Sequence, residues 1–97
     1  MPITVAALRF KQEDRAFPTW RARAEFPNGY TVSVITGPGD IPNWRPGVFE
    51  AALMNADGIA EITRGDEATI DRLLEAAEAL PAGLSTADLK RRMNDLE

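Results

Sequence analysis

Apolar and charged residues alternate from Trp20 to Phe26: Trp20, Ala22, Ala24 and Phe26 take every second place, with Arg21, Arg23 and Glu25 between them. A period of two sends the two sets to opposite faces of an extended chain, so this stretch predicts a strand with one buried face. Pro27-Asn28-Gly29 follows, and then an apolar, β-branched run from Tyr30 to Thr36. Asn-Gly is the strongest short hairpin signal, because both residues tolerate the positive φ that a type I′ turn demands. A two-residue Asn28-Gly29 loop would set Glu25 against Val32 and Arg23 against Val34, mixing charge with valine on one face. A longer loop or a bulge near Gly29 shifts the pairing by one and brings Phe26, Ala24 and Ala22 beside the valines. The second register is preferred, since a slip of one residue would exchange the two faces.

Further along, Val48 to Met54 reads as a strand, Asn55-Ala56-Asp57-Gly58 as its turn and Ile59 to Thr63 as a returning strand, with Asp-Gly supplying the turn chemistry. Ahead of the hairpin, Ile3 to Phe10 has β-branched residues at Ile3, Thr4 and Val5 and predicts an N-terminal strand. Lys11 to Pro18 is charged and without period, which predicts a loop.

After Gly65 the period changes. Ile70, Leu73, Leu74, Ala77 and Leu80 fall at helical spacing, Asp66 is placed to cap the N-terminus, and Pro81 with Gly83 ends the segment. A second helix begins at Ser85 as N-cap, with Asp88 three places on, Leu84 placed to staple onto Leu89, and Leu89, Met93 and Leu96 as its narrow apolar stripe. Strands followed by helices, without βαβ alternation, predict an α+β fold: an antiparallel meander sheet of four to five strands followed by two C-terminal helices packed on one face. At 97 residues the chain is read as one domain with a single modest core.

Composition narrows the chemistry. There is no Cys and no His, which excludes disulfides, thiolate catalysis, Cys/His zinc sites and His-based triads within one chain. Carboxylates, Lys, Arg, Tyr and hydroxyls are what is left, and the expectation is a protein that is not an enzyme and holds no metal or cofactor. No apolar run reaches the roughly 20 residues of a membrane span, and Met1 to Leu8 lacks the basic and apolar regions of a signal peptide. The cytoplasm is the expected location. The net charge of -4 is uneven: residues 1–49 carry six bases and four acids, whereas residues 50–97 carry five bases and eleven acids. That layout can orient a charged partner, but an ordinary solvated surface is the plainer reading and is preferred.

Gly37 to Gly47 runs Gly-Pro-Gly-Asp-Ile-Pro-Asn-Trp-Arg-Pro-Gly, an eleven-residue connection where two to five residues would join the strands. Long loops in small domains often carry function, and Trp with Arg is a pairing enriched in binding hot spots. Asp40, Ile41, Trp44 and Arg45 are therefore candidate contacts for a protein partner. The alternative is that Ile41 and Trp44 fold back to cap the sheet. Asp71, Glu75 and Glu78 share one helix face and complete the candidate set as an acidic row, for which a solvated helix face is the plain reading. The row is thinner than phosphate mimicry normally needs. Arg21 and Arg23 with Trp20 and Tyr30 could stack and pair with single-stranded nucleic acid, but a pI near 4.8 opposes it. Arg64-Gly65-Asp66 spells a cell-attachment tripeptide, and a strand-to-helix bend with its cap explains it. Gly37-Pro38-Gly39 lacks the lysine and the following helix of a phosphate loop.

The stretch Asn28-Gly29-Tyr30-Thr31-Val32-Ser33-Val34-Ile35, a Gly-bounded loop, and then Gly47-Val48-Phe49-Glu50-Ala51-Ala52-Leu53 resembles small uncharacterised proteins encoded by phages and prophages. The likeness spans roughly residues 26–80; the Pro-rich loop and the added helix from Ser85 to Glu97 depart from the pattern. The resemblance implies an accessory role in the bacterial cytoplasm through binding of a host protein or complex, such as an anti-CRISPR-like inhibitor. It brings no activity and no site residues. A structural module that forms a homodimer or larger homo-oligomer is the alternative, and an enzyme, which would need a carboxylate pair in a pocket, is third.

Overall fold

The computed structural model describes residues 3–13 and 16–94. Its sheet has five strands in the order β1-β2-β3-β4-β5, every neighbouring pair antiparallel. They are β1 (Lys11–Glu13), β2 (Thr19–Glu25), β3 (Thr31–Thr36), β4 (Phe49–Asn55) and β5 (Gly58–Gly65), followed by helices α1 (Glu67–Ala79) and α2 (Thr86–Asn94). This is the α+β meander with two C-terminal helices on one face that the patterning predicts.

The hairpin takes the shifted register: Ala22 lies opposite Val34 and Ala24 opposite Val32. Pro27, Asn28 and Gly29 together form the loop, closed by hydrogen bonds from Phe26 N–H to the Tyr30 carbonyl and from Gly29 N–H to the Phe26 carbonyl, both 3.0 Å. Only Gly29 of the three has positive φ, at 93°. Proline's fixed φ suits the first central position of a type I turn, and glycine then supplies the left-handed residue that completes a three-residue loop. Pro27 thus decides against the type I′ turn that Asn-Gly favours when alone.

The inner face of the sheet carries Ala24, Val32, Val34, Ala51 and Leu53, packed against Ile70, Leu73, Leu74 and Ala77 of α1 and Leu89 and Met93 of α2. Leu96, which the helical spacing adds to the α2 stripe, lies outside the described residues.

Two N-terminal expectations are corrected. Ile3 to Phe10 is not a strand: Val5–Ala7 forms a 3-10 turn, whose Val5 is buried in the core and donates its N–H to Asp71 Oδ1 on α1 at 2.7 Å. Once a helix side chain takes that donor, β-branched propensity no longer decides the backbone. The first strand instead is Lys11–Glu13, inside the segment read as a loop; Asp14 and Arg15 of that segment lie outside the described residues. This strand is an edge with little to bury, so it shows no apolar period, and its register is held by β2 and by an Arg21–Glu13 ion pair at 2.7 Å.

Both predicted helix caps are present. Asp88 N–H donates to Ser85 Oγ at 3.2 Å, ahead of α2. At α1 the Thr69 N–H (2.9 Å) and then the Thr69 hydroxyl (2.8 Å) donate to Asp66 Oδ1, and with the field of Arg72 they hold that carboxyl below its ordinary 3.8. Because the folded value is depressed, the cap's contribution is complete above 3.8 and is lost as pH falls through the folded value. Asn caps well without a charge, so the melting temperature of the native chain, compared with Asp66→Asn, is expected to fall relatively as pH is lowered through the carboxylate range. A difference between the two that stays constant with pH would contradict this.

Candidate functional site

The long loop is fastened down more than its composition suggests. Trp44 Nε1–H is shared between Thr36 Oγ1 (3.0 Å) and the Val48 carbonyl (2.9 Å), and the Thr36 hydroxyl also donates to Val48 (2.7 Å). Gly39 N–H donates to the Pro18 carbonyl at 3.2 Å, Val48 N–H donates to the Arg45 carbonyl at 3.0 Å, and Ile41 is only 2% exposed. The apolar side chains of the loop therefore fold inward, as in the capping alternative. Arg45 and the neighbouring Pro42, Asn43 and Pro46 are exposed, and Asp40 is half-buried.

The acidic row divides by role. Asp71 accepts the Val5 N–H and so ties the N-terminal turn to α1, whereas Glu75 and Glu78 are exposed. The loop leaves Thr36 and returns at Phe49, which pairs with Gly65 next to the start of α1. Glu78 lies at the other end of α1, next to the hairpin tip, where Asn28 Nδ2–H donates to the carbonyls of Ala77 (2.8 Å) and Leu80 (3.0 Å). At about 1.5 Å per residue, α1 separates its two ends by roughly 20 Å. Asp40, Ile41, Trp44 and Arg45 thus gather at one end of the sheet, and Glu78 belongs to the opposite end.

A surface that the sequence reading passes over lies on the sheet face away from the helices. Pairing sets Arg23, Ser33, Ala52 and Ile62 in one row, and Arg21, Ile35, Glu50 and Arg64 in the next. On the β2 side this face is polar, with Arg21 bonded to both Glu13 and Ser33. On the β4 and β5 side it is largely apolar: Ala52, Met54, Ile59 and Ile62, with Ile59 57% and Ile62 54% exposed. Residues three apart in a regular strand face opposite ways. Here Leu53 pairs with Glu61 but Met54 with Ile59, a bulge that accommodates Ala60 and turns both isoleucines outward.

β5 is also the end of the sheet order. It contains no Pro and no Lys, so the bulge at Ala60 is the one device in the strand that guards its edge, and the one charge on its outer face, Arg64, is bound to Glu50 at 3.0 Å. Among the described residues no group of three or more acidic side chains is placed to hold a metal ion, and no helix is long and apolar enough to cross a membrane. Comparisons with protein-family models, with curated protein sequences and with solved structures returned no match.

Proposed function

We propose that this chain is a non-enzymatic protein-binding module that captures an extended segment of a partner along β5, with the partner's alternate apolar side chains seated on Ile59, Ile62 and Met54. The observation that carries this reading is the eight-residue edge strand, free of Pro and Lys, bearing two half-exposed isoleucines on one face. Added strands gain main-chain hydrogen bonds along an open edge and take specificity from alternate side chains. Apolar surface gathered in one place on a small protein marks such contacts. The exposed part of the loop, Arg45 with its flanking prolines, stands at the end of the same sheet and adds a second contact. In a phage or prophage setting, the role implied by the resemblance, this module would act by occupying a host protein, as an anti-CRISPR-like inhibitor does.

Quantitative capture with the tagged chain from a bacterial lysate tests the reading, with Ile59→Lys/Ile62→Lys and Trp44→Ala/Arg45→Ala as parallel variants. Both isoleucines are largely solvated, so the lysine variant is expected to fold within about 0.5 kcal/mol of native and to lose the partner by tenfold or more. The loop variant is expected to lose less. Capture unchanged by the lysines but abolished by the loop variant would transfer the site to the loop. Light scattering on the purified chain is expected to give a concentration-independent monomer; a dimer broken by the lysines would mean that a second copy supplies the strand.

A further inference from the structure

On the other face of β5, where α1 and α2 cross it, lies a cavity of about 240 Å³ lined by Glu61 and Thr63 of β5, Thr69, Arg72 and Leu73 of α1, and Met93 and Asn94 of α2. Two of these residues carry opposite charges. Among the described residues neither Glu61 nor Arg72 makes an ion pair. Glu61 Oε1 accepts the Ile62 N–H at 3.3 Å, while Oε2 is shut off from solvent and has no hydrogen-bond donor. A carboxylate oxygen without a donor is a standing cost that an N–H group removes. Glu61 is half-buried and lines the cavity, which places its carboxylate beside any donor bound there. Leu73 and Met93 supply apolar wall to the same cavity.

We propose that this cavity binds a free α-amino acid with an aliphatic or thioether side chain, its ammonium on Glu61, its carboxylate on Arg72 and its side chain against Leu73 and Met93. Size supports the class: drug-sized ligands take pockets of roughly 300–1,000 Å³, and a single amino acid needs less. The chemistry supports it too, because a guanidinium recognises a carboxylate through two parallel N–H groups and the paired donor and acceptor fix the ligand's orientation. This site is separate from the edge-strand surface, since Glu61 and Thr63 line the cavity whereas Ile59 and Ile62 lie on the outer face of β5.

The test is an amide NMR titration of the full chain with L-leucine, alongside 3-methylbutylamine, which lacks the carboxylate, and 4-methylpentanoate, which lacks the ammonium. L-Leucine is expected to give saturable shifts at residues 61–63, 69–73 and 93–94, with each singly charged analogue at least tenfold weaker. Arg72 is exposed, so Arg72→Ala should keep the native spectrum and bind leucine no better than the amine, with Arg72→Lys recovering part of the difference. Glu61→Gln should bind leucine no better than 4-methylpentanoate. Absence of saturable shifts with millimolar leucine, equal binding of all three compounds, or binding unaltered in both Arg72→Ala and Glu61→Gln would overturn the proposal.

Discussion

Tyr30→Phe is expected to lower the unfolding free energy by about 2–4 kcal/mol although it removes one oxygen atom. Tyr30 is 3% exposed; its hydroxyl donates to the Pro81 carbonyl and accepts the Leu84 N–H at 2.9 Å. Both partners are main-chain groups in the short link between α1 and α2, where no further helical bond is open to them. Leaving one such group unpaired costs about 1–3 kcal/mol, and this substitution strands two. Asn28 acts beside it: its amide caps the last carbonyls of α1 and its Oδ1 accepts the Tyr30 N–H at 3.2 Å. The Asn-Gly-Tyr turn therefore fastens the hairpin tip to the end of α1 and to the link that leads into α2, and a native stability of about 5–15 kcal/mol makes the loss visible in urea denaturation. A change below about 0.5 kcal/mol, the range of neutral surface substitutions, would show that the link does not depend on this hydroxyl.

Gly37→Ala is expected to cost as much, about 2–5 kcal/mol, for two separate reasons. Its φ of +119° is one that residues with a Cβ rarely adopt, and an added Cβ would lie 2.6 Å from the Pro18 carbonyl oxygen and 3.1 Å from Trp20 Cε3. Backbone strain of this kind costs about 1–3 kcal/mol and overpacking a similar amount, and a main-chain oxygen cannot swing aside. Gly47→Ala is the control, because it has φ +91° but nothing within 4 Å of its Cβ. Unfolding midpoints should therefore fall well below native for Gly37→Ala and only partway for Gly47→Ala. Equal losses would mean that the close approach to β2 contributes nothing.

Strands β2 to β5 and both helices are legible because their periods are local: one buried face repeats every two or about 3.6 residues. The register is legible for the same reason, since only one pairing keeps Ala22 and Ala24 with the valines. The N-terminal segment is not, because its backbone is settled by Asp71, 66 residues away from the Val5 it binds. Trp44 and Ile41 show the limit from the other side: composition marks the loop as a contact surface, but it does not reveal that the indole N–H is already taken by Thr36 and Val48. Ile59 and Ile62 are hidden by the opposite error, since strict alternation assigns them to different faces and only the bulge at Ala60 brings them together. The cavity between Glu61 and Arg72 is assembled from three elements and has no signature in any one of them.

The account rests on partner capture along β5, and amide hydrogen exchange of the chain with and without its captured partner tests it most directly. Slowed exchange concentrated in Gly58–Gly65 upon binding is the predicted result, because outward amides of an edge strand gain acceptors when another strand is added. Protection confined to residues 37–47 or to α1, with β5 unchanged, would contradict it.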